Sequence, residues 1–317
     1  MDADGNLYVG YFDNEFGFSA SNGTPDKGNE VAIYSPNASG GDQPTTVITA
    51  DKGTQTLLFP LFESIDPSGD LVTYGATGID GIGGNDAVLT YSPGSSGPVA
   101  PAQAWAFVSP LLDYAGPTGL ALDSTGNFYV NGALHTSLGP SYGLFVAPAS
   151  DNGNPAVSPS RTIPWDSTTE LTPGRTTNVS LDTSGEIFIA NFTLQGSGSN
   201  ASCQGNANVY AASPSGGITD VPPLRVLALD GVFTANPQCA SPTNPLAAYF
   251  PSITLYGTTL FVADDFNSAI DAFKSDAHGT VKPSLQITGA ATGLNAPIAL
   301  VITSTSGQAK AGSAQSP

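Results

Sequence analysis

The sequence predicts an all-β protein, a β-propeller built of four-stranded antiparallel blades. The first observation is a repeated Asp-x-x-Gly turn, which in most copies is followed by an apolar and aromatic strand. The second is that four strand signals recur in the same order in each repeat. The third is a composition of 37 Gly and 26 Pro in 317 residues, without any segment of sustained helical periodicity. The copies of the turn begin at Asp2, Asp66, Asp123 and Asp182, with a looser copy at Tyr256.

The third repeat contains the four strands in their clearest form, and we name them A to D in chain order. Strand A is 119–123 and strand B is 127–130, and the turn 124–126 joins them. A variable loop leads to strand C at 143–147, and strand D follows at 160–163. Pro flanks most C and D strands, which suits strand ends because Pro lacks the amide hydrogen that a sheet interior needs. In the other repeats we predict strand C at 31–34, 87–91, 209–212 and 269–273, and strand D at 45–48, 103–107, 224–227 and 284–287.

The two termini share one repeat, which predicts how the ring closes. The first unit starts at the turn before strand B, whereas the last unit offers only a strand A at 296–302. We expect 298–302 to pair beside Leu7–Tyr11 and so remove an open sheet edge. The predicted organisation is one propeller domain with a flexible tail: blade 1 at 2–53 plus 294–303, blade 2 at 57–110, blade 3 at 115–165, blade 4 at 174–229, blade 5 at 249–289, and the tail at 304–317.

Two segments carry a resemblance to a known repeat family. Blade 5 reads Leu260-Phe-Val-Ala-Asp-Asp-Phe-Asn-Ser-Ala-Ile-Asp-Ala-Phe273, and blade 3 reads Pro117-Thr-Gly-Leu-Ala-Leu-Asp123 followed by Gly126-Asn-Phe-Tyr-Val130. Both resemble the NHL repeat, and the resemblance extends loosely over nearly the whole chain. It implies a propeller related to the six-bladed lactonase- and lyase-type enzymes, so six blades stay open beside the five that the repeats indicate. It also implies that Asp264 and Asn267 hold a turn rather than a ligand.

Charge composition excludes two classes of partner. Eight Lys and Arg stand against 26 Asp and Glu, a net charge of −18. Binding to nucleic acid phosphates or to anionic lipid needs clustered cations, and none cluster in this sequence. No apolar run reaches the roughly 20 residues of a membrane-spanning helix. We therefore expect a protein or carbohydrate ligand, no nucleic acid, no membrane insertion and a monomer.

Composition also predicts an exported protein, extracellular or periplasmic. Few Lys, much Ser, Thr, Asn and Gly, and only two Cys are typical of compartments where a disulfide is stable. Met1 stands in the middle of a repeat, which suggests a leader absent from this chain. Cys203 falls in the B–C loop of blade 4 and Cys239 in the connection to blade 5, on the same predicted face. We expect a Cys203–Cys239 disulfide, with two separate free thiols as the alternative.

Unequal loop lengths indicate where a functional site lies. The A–B turns are short, whereas the B–C loops are long, and long loops on a rigid scaffold usually carry function. In a propeller the B–C loops share one face with the connections from strand D to the next strand A. The long loops are predicted at 13–27, 76–86, 131–142 and 191–208. The candidate ligand-binding residues on this face are Asp13, Glu15, Asp80, His135, Tyr142 and Asp265.

These residues do not form a recognisable metal or catalytic centre. Loop acids supply the oxygen ligands that a structural Ca²⁺ needs, but no Asp-x-Asp-x-Asp-Gly spacing occurs, and a solvated acidic rim is the simpler interpretation. The repeated Asp-x-x-Gly acids are assigned to hairpin turns. His135 and His278 fall on opposite predicted faces, so they cannot share a zinc ion or a catalytic dyad. We therefore expect no cofactor, apart from the open case of Ca²⁺, and no catalytic residue.

Two functions remain open from the sequence. The first is a secreted, non-catalytic propeller that binds a protein or glycan through its long-loop face. The second follows from the resemblance: a metal-dependent lactonase- or lyase-like enzyme with its site in the central funnel. That enzyme needs Glu, Asn or Asp side chains that face the funnel from several A strands. The candidates are few: Asn178, Asn295, Asp113 and Glu170.

Overall fold

The computed structural model describes the chain at residues 6–11, 30–35, 43–49, 51, 56–66, 68–77, 85–106, 119–136, 139–148, 159–171, 176–195, 202–212, 217–218, 221–232, 252–264 and 267–289. These residues form 22 strands and no helix. The described part of the chain accordingly contains no apolar helix long enough to cross a membrane.

The described strands form five sheets in chain order, and the consecutive strands of each blade form an antiparallel meander. Blade 1 contributes strands B, C and D, and the other blades contribute all four strands. Blades 1 and 2 consist of β1 (Leu7–Tyr11), β2 (Glu30–Tyr34) and β3 (Thr46–Thr49), then β4 (Thr56–Ile65), β5 (Leu71–Thr77), β6 (Asn85–Tyr91) and β8 (Gln103–Ala106). Blade 3 consists of β9 (Gly119–Leu122), β10 (Phe128–Thr136), β11 (Gly139–Ala147) and β12 (Arg161–Pro164). Blades 4 and 5 consist of β13 (Thr176–Leu181), β14 (Ile187–Gln195), β15 (Ser202–Tyr210) and β17 (Arg225–Leu229), then β18 (Ser252–Tyr256), β19 (Thr259–Asp264), β20 (Ala269–Lys274) and β22 (Leu285–Ile287).

The repeated Asp-x-x-Gly segment forms the hairpin turn between strands A and B. In blade 2, Asp66 Oδ1 accepts hydrogen bonds from the amides of Ser68 and Asp70 at 2.8 and 2.9 Å. Gly69 donates its amide to the Asp66 carbonyl and takes a φ of 90°, a left-handed conformation that favours glycine. The turns around Asp123 and Asp182 repeat this pattern. The turn chemistry predicted for these acids is therefore confirmed in blades 2, 3 and 4.

The sheets pack face to face, with strand A of each described four-stranded blade on the inside. β4 contacts β9, β9 contacts β13, and β13 contacts β18, so the A strands of blades 2 to 5 adjoin in chain order. Neighbouring sheets enclose apolar clusters between them. Between blades 4 and 5, Phe188 and Val209 pack with Ile253 and Val262. Four-stranded antiparallel sheets that pack in sequence around their A strands form a β-propeller, as predicted.

Short parallel strands join consecutive blades at their outer edges. Each one comes from a C–D connection and pairs with strand D of the preceding blade. These segments are β7 (Gly97–Pro98) on blade 1, β16 (Gly217–Ile218) on blade 3 and β21 (Gly279–Val281) on blade 4. They cover the backbone edge that an outer strand otherwise exposes. No pattern in the sequence predicted these short strands.

Two arginines at equivalent positions reinforce these junctions. Arg161 opens strand D of blade 3, and its Nη1 donates to the Ala211 carbonyl of blade 4 at 3.0 Å. Arg225 opens strand D of blade 4, and its Nε and Nη2 donate to the Ser275 carbonyl of blade 5 at 3.2 and 3.1 Å. Arg225 also pairs with Glu186 at 2.6 Å. A planar guanidinium donates in several directions at once, which suits it to bridging two sheets.

The B–C connections differ from the sequence prediction. Residues 131–136 and 139–142, predicted as one loop, are paired strand, because β10 ends at Thr136 and β11 begins at Gly139. In blade 4, β14 runs to Gln195 and β15 begins at Ser202, within the loop predicted at 191–208. The polar residues of these segments are typical of a loop, but their backbone pairs with the opposite strand of the hairpin. The closing strand at 296–302 and the tail lie outside the described residues, so ring closure stays a prediction.

Candidate functional site between blades three and four

Two long hairpins extend beyond the rest of their sheets at the same end of the propeller. In blade 3, strand A pairs with β10 only at 128–131, and strand D pairs with β11 only at 143–146. The ribbon of 132–136 and 139–142 therefore has no outer neighbour among the described strands. At about 3.4 Å per residue, it extends roughly 15 Å.

Blade 4 repeats this arrangement. Strand A pairs with β14 as far as Asn191, and strand D pairs with β15 at 206–209. Residues 192–195 pair with 202–205 beyond those contacts. In blade 5, by contrast, strand A pairs with β19 over 259–263, so the hairpin extends only one residue further, to Asp264. The two long hairpins are therefore adjacent to each other and define a distinct part of this face.

An aromatic pair lies at the base of the blade 3 hairpin. The rings of Tyr142 and Trp165 stack with centroids 5.8 Å apart and planes at 25°. Trp165 is buried, its indole nitrogen donates to Asn131 Oδ1 at 3.1 Å, and its amide donates to the Tyr142 carbonyl at 3.0 Å. Tyr142 remains half-buried. Trp165 is therefore fixed in place and supports the Tyr142 ring at the edge of the hairpin.

Buried asparagines of blade 4 hydrogen-bond to the segment that connects strand D of blade 3 with strand A of blade 4. The Nδ2 atoms of Asn191 and Asn208 both donate to the Glu170 carbonyl, at 2.9 and 3.1 Å. Both asparagines are 1% exposed. Glu170 takes a φ of 57°, which is left-handed and strained for a residue with a side chain. The two hydrogen bonds therefore stabilise a backbone conformation that the residue would otherwise disfavour.

Further hydrogen bonds order the same connection. Asp166 Oδ1 accepts from the amides of Thr168 and Thr169 at 2.9 and 3.0 Å. Thr169 Oγ1 donates to the Pro164 carbonyl at 2.6 Å, and the Tyr210 hydroxyl donates to the Thr169 carbonyl. Burial raises the pKa of Tyr210, and the nearby carboxylates of Glu170 and Asp166 raise it further, while a hydrogen bond from Asn208 acts in the opposite direction. Tyr210 therefore stays protonated and acts as a donor.

A second buried polar group lies on the inner strand of blade 2. Glu63 in β4 is the register partner of Thr73 in β5. Burial raises the pKa of Glu63 from 4.5 to about 8, so its carboxyl is mostly protonated at neutral pH. Glu63 Oε1 and the Thr73 hydroxyl are both buried and have no hydrogen-bond partner among the described residues. No pattern in the sequence indicated this pair.

The predicted site residues are dispersed. His135 and Tyr142 lie in paired strands rather than in a loop, and His135 is the register partner of Pro140. The loop placement predicted for Tyr142 is wrong, because the residue pairs with Ala133 in the hairpin, and its role in ligand binding stays a prediction. Cys203 lies in β15 opposite Leu194, not in a loop. The other predicted residues lie outside the described residues: Asp13, Glu15, Asp80, Asp265 and Cys239.

The residues considered for a funnel metal do not converge in the described part of the chain. Asn178 of β13 donates to Ser252 Oγ of the adjacent inner strand at 3.2 Å. Glu170 lies on the surface connection described above, and Asp113 and Asn295 lie outside the described residues. The described residues contain no group of three or more His, Cys, Asp or Glu side chains placed to hold a metal ion. His278 is exposed in the C–D turn of blade 5, at the other end of its blade from the B–C hairpin.

The turn acids are structural where the structure describes them. Asp264 is fully buried, and its Oδ1 and Oδ2 accept hydrogen bonds from the amide and Nδ2 of Asn267 at 3.0 and 2.6 Å. Asn267 also donates to the Gly231 carbonyl of blade 4 at 3.0 Å. This confirms the predicted turn-holding role. At Asp123, burial alone would raise the pKa, but hydrogen bonds from Thr125 and Asn127 outweigh it and lower the pKa.

The comparisons with known proteins add only a distant structural likeness. No protein-family model and no curated protein matches the chain. A nidogen/laminin complex aligns at 12% identity and a TM-score of 0.34 over 81% of this chain and 77% of that chain. The periplasmic gluconolactonase of Pseudomonas aeruginosa aligns at 11% identity and 0.41 over 86% and 79%. The PQQ-bound aldose sugar dehydrogenase of Streptomyces coelicolor aligns at 10% and 0.42 over 89% and 90%. Because these scores are low, the fold assignment rests on the strand topology.

Proposed function

We propose that this protein is a secreted, non-catalytic propeller of the NHL type that binds a protein or glycan ligand through the face with the long hairpins. The supporting observation is that the B–C hairpins of the consecutive blades 3 and 4 both extend beyond the residues that pair with their A and D strands. Two-stranded ribbons on a rigid scaffold offer surface that the scaffold itself does not need for stability. The half-buried Tyr142 ring, supported by Trp165, adds an aromatic group of the kind enriched in binding surfaces.

A shortened hairpin tests this proposal. The variant replaces 133–142 with Asn-Gly, a two-residue turn suited to join the paired Gly132 and Gly143. Wild type and variant are applied to an array of immobilised plant, bacterial and animal glycans and to a panel of extracellular matrix proteins. We expect the wild type to bind at least one ligand, and the variant to bind it at least about tenfold more weakly, which corresponds to a loss of about 1.4 kcal/mol.

A matched pair of histidines provides the control. His135→Ala lies in the long hairpin and His278→Ala lies in an exposed turn at the other end of its blade. We expect His278→Ala to bind like the wild type. The proposal fails if the shortened variant keeps its β-sheet circular dichroism and binds with unchanged affinity, or if the wild type binds no glycan and no protein of the panel.

Export and the disulfide belong to the same proposal. The supporting observations are the composition and the position of Cys203 near the tip of the blade 4 hairpin, opposite Leu194. A Cys203–Cys239 bond would close a loop of about 35 residues and stabilise the fold by roughly 2–4 kcal/mol. Thiol titration of the denatured protein, purified without reductant, distinguishes the alternatives. We expect no reactive thiol, and two reactive thiols contradict the disulfide.

Glu63 is the one observation that favours the alternative of a lactonase- or lyase-like enzyme. Its buried, largely protonated carboxyl on an inner strand is the kind of group that exchanges protons in catalysis. The inner strands that the structure describes supply one carboxylate, which does not fit a divalent metal, so we derive no catalytic step. Metal analysis of the purified protein tests this alternative. Stoichiometric Ca²⁺ or Zn²⁺, together with loss of a lactonase activity in Glu63→Gln, would favour it over the binding function.

A further inference from the structure

Two amide oxygens are buried without a donor at the junction of blades 3 and 4. Asn191 Oδ1 and Asn208 Oδ1 have no hydrogen-bond partner among the described residues, and both side chains are 1% exposed. A buried acceptor that lacks a donor destabilises a protein by about 1–3 kcal/mol. Two such atoms on one face of the same sheet therefore call for a physical explanation.

The orientation of both amides is fixed by a single carbonyl. The Nδ2 atoms of Asn191 and Asn208 donate to the Glu170 oxygen, and a carbonyl oxygen can only accept. Rotating either amide by half a turn would place its oxygen against the Glu170 oxygen and remove a hydrogen bond. The two Oδ1 atoms therefore face away from the Glu170 oxygen, and both are buried.

The hydroxyl groups described at this junction already donate their protons to other acceptors. Tyr210 donates to the Thr169 carbonyl, and Thr169 Oγ1 donates to the Pro164 carbonyl at 2.6 Å. Asn206, which lies opposite Asn191 in the register, donates its Nδ2 to Thr193 Oγ1 at 3.2 Å. Among the described residues these groups are therefore committed elsewhere, which leaves the two amide oxygens able to accept from a small species that donates hydrogen bonds or carries positive charge.

We propose that a buried water molecule bridges Asn191 Oδ1 and Asn208 Oδ1. Water has two donors, which match the two oxygens, and each amide keeps a second N–H that can donate back to water or to a neighbour. A cation would gain from the oxygens but would be repelled by these N–H groups. The water would help to hold both asparagines, and through them the strained Glu170 backbone and the connection that begins at Trp165. This site does not depend on the proposed function.

A high-resolution crystal structure of the full chain tests the proposal. We expect a solvent peak at about 2.7–3.1 Å from both amide oxygens, the range of ordinary hydrogen bonds. Crystals soaked in rubidium chloride should give no anomalous signal at that position. A rubidium peak would show that a monovalent cation, not water, occupies this position, and would overturn the proposal. Amide oxygens that bond to protein donors, with no peak between them, would overturn the proposal outright.

Water relaxation in solution provides a second test. Oxygen-17 magnetic relaxation dispersion counts water molecules with long residence times, and we expect Asn208→Leu to have one fewer than the wild type. The control is Asn206→Ala, which lies on the same face but whose amide bonds to Thr193. It should leave the count unchanged. A folded Asn208→Leu protein that keeps the wild-type count would contradict a water at this site, and the crystal structure decides the case if that variant does not fold.

Discussion

The two faces of blade 4 are built from the same two central strands and differ sharply in chemistry. Toward blade 5, Phe188, Ala190, Phe192, Ala207 and Val209 form a continuous apolar surface. Toward blade 3, the alternating positions of the same strands include Ile187 and Ile189 but also three buried asparagines and a buried tyrosine. These polar residues are Asn191, Asn206, Asn208 and Tyr210.

The difference between the two faces shows two separate roles: the apolar face contributes stability, and the polar face fixes the geometry of a connection. Apolar burial is non-directional and depends mainly on area, so the blade 4–5 junction stabilises the packing of these two blades without fixing any single loop. A buried polar network is favourable only in the arrangement that satisfies its groups. The blade 3–4 junction therefore determines one conformation of the connection that carries Glu170 and Trp165. This connection lies at the base of the long hairpins.

The largest expected effect comes from the apolar face. Phe188 is fully buried in the cluster between blades 4 and 5. Phe188→Ala should lower the free energy of unfolding by about 3–5 kcal/mol, because it removes buried area and leaves a cavity. Tyr210→Phe, equally buried on the opposite face, loses only the hydroxyl and should cost about 1–3 kcal/mol. Denaturant titration measures both values, and equal losses would show that the two faces do not differ as described.

Blade 2 has a buried carboxyl, that of Glu63, on its face toward blade 1. Its protonation makes the free energy of unfolding depend on pH. The pKa of Glu63 is about 8 in the folded protein and near 4.5 when unfolded, so the folded state binds the extra proton between these values. The free energy of unfolding should therefore fall as pH rises from about 4.5 to 8, by up to about 5 kcal/mol, and level off above that.

Glu63→Gln should remove this slope, because the amide does not titrate. Glu170→Gln, which changes an exposed carboxyl on the blade 3–4 connection, serves as the control and should keep the wild-type slope. Chemical denaturation at a series of pH values measures the effect. A Glu63→Gln protein with the same pH dependence as the wild type would show that the carboxyl is not buried as the structure has it.

The smallest expected effect isolates the strained backbone of the polar face. Glu170 has a φ of 57°, and only its carbonyl contacts the two asparagines. Glu170→Gly should therefore be more stable than Glu170→Ala by about 1 kcal/mol, because glycine adopts this conformation without a Cβ clash. Thermal unfolding compares the two variants directly. An alanine variant at least as stable as the glycine variant would contradict a left-handed residue at this position.

The fold was largely predictable because its signals are local. Asp66, Asp123 and Asp182 each bond to amides two and four residues ahead, so the hairpin turn can be recognised within one short segment. The alternation of apolar residues in strands C and D is equally local. The extended hairpins were missed for the opposite reason. Polar residues such as Asn131, His135 and Gln204 favour a loop when they are considered alone, and only pairing with the opposite strand makes them part of a sheet.

The sequence by itself determined a repeated four-stranded unit, its hairpin turns and the separation of His135 from His278, because these depend on near neighbours and on repeat order. Tertiary structure alone decided which residues far apart in the chain meet. Trp165 reaches Asn131, Asn191 reaches Glu170, and Arg225 reaches Ser275, across 34, 21 and 50 residues of chain. No local pattern encodes such pairs, because their geometry arises from the packing angle of two sheets. The chemistry of the candidate site belongs to the junctions between blades, not to the repeat.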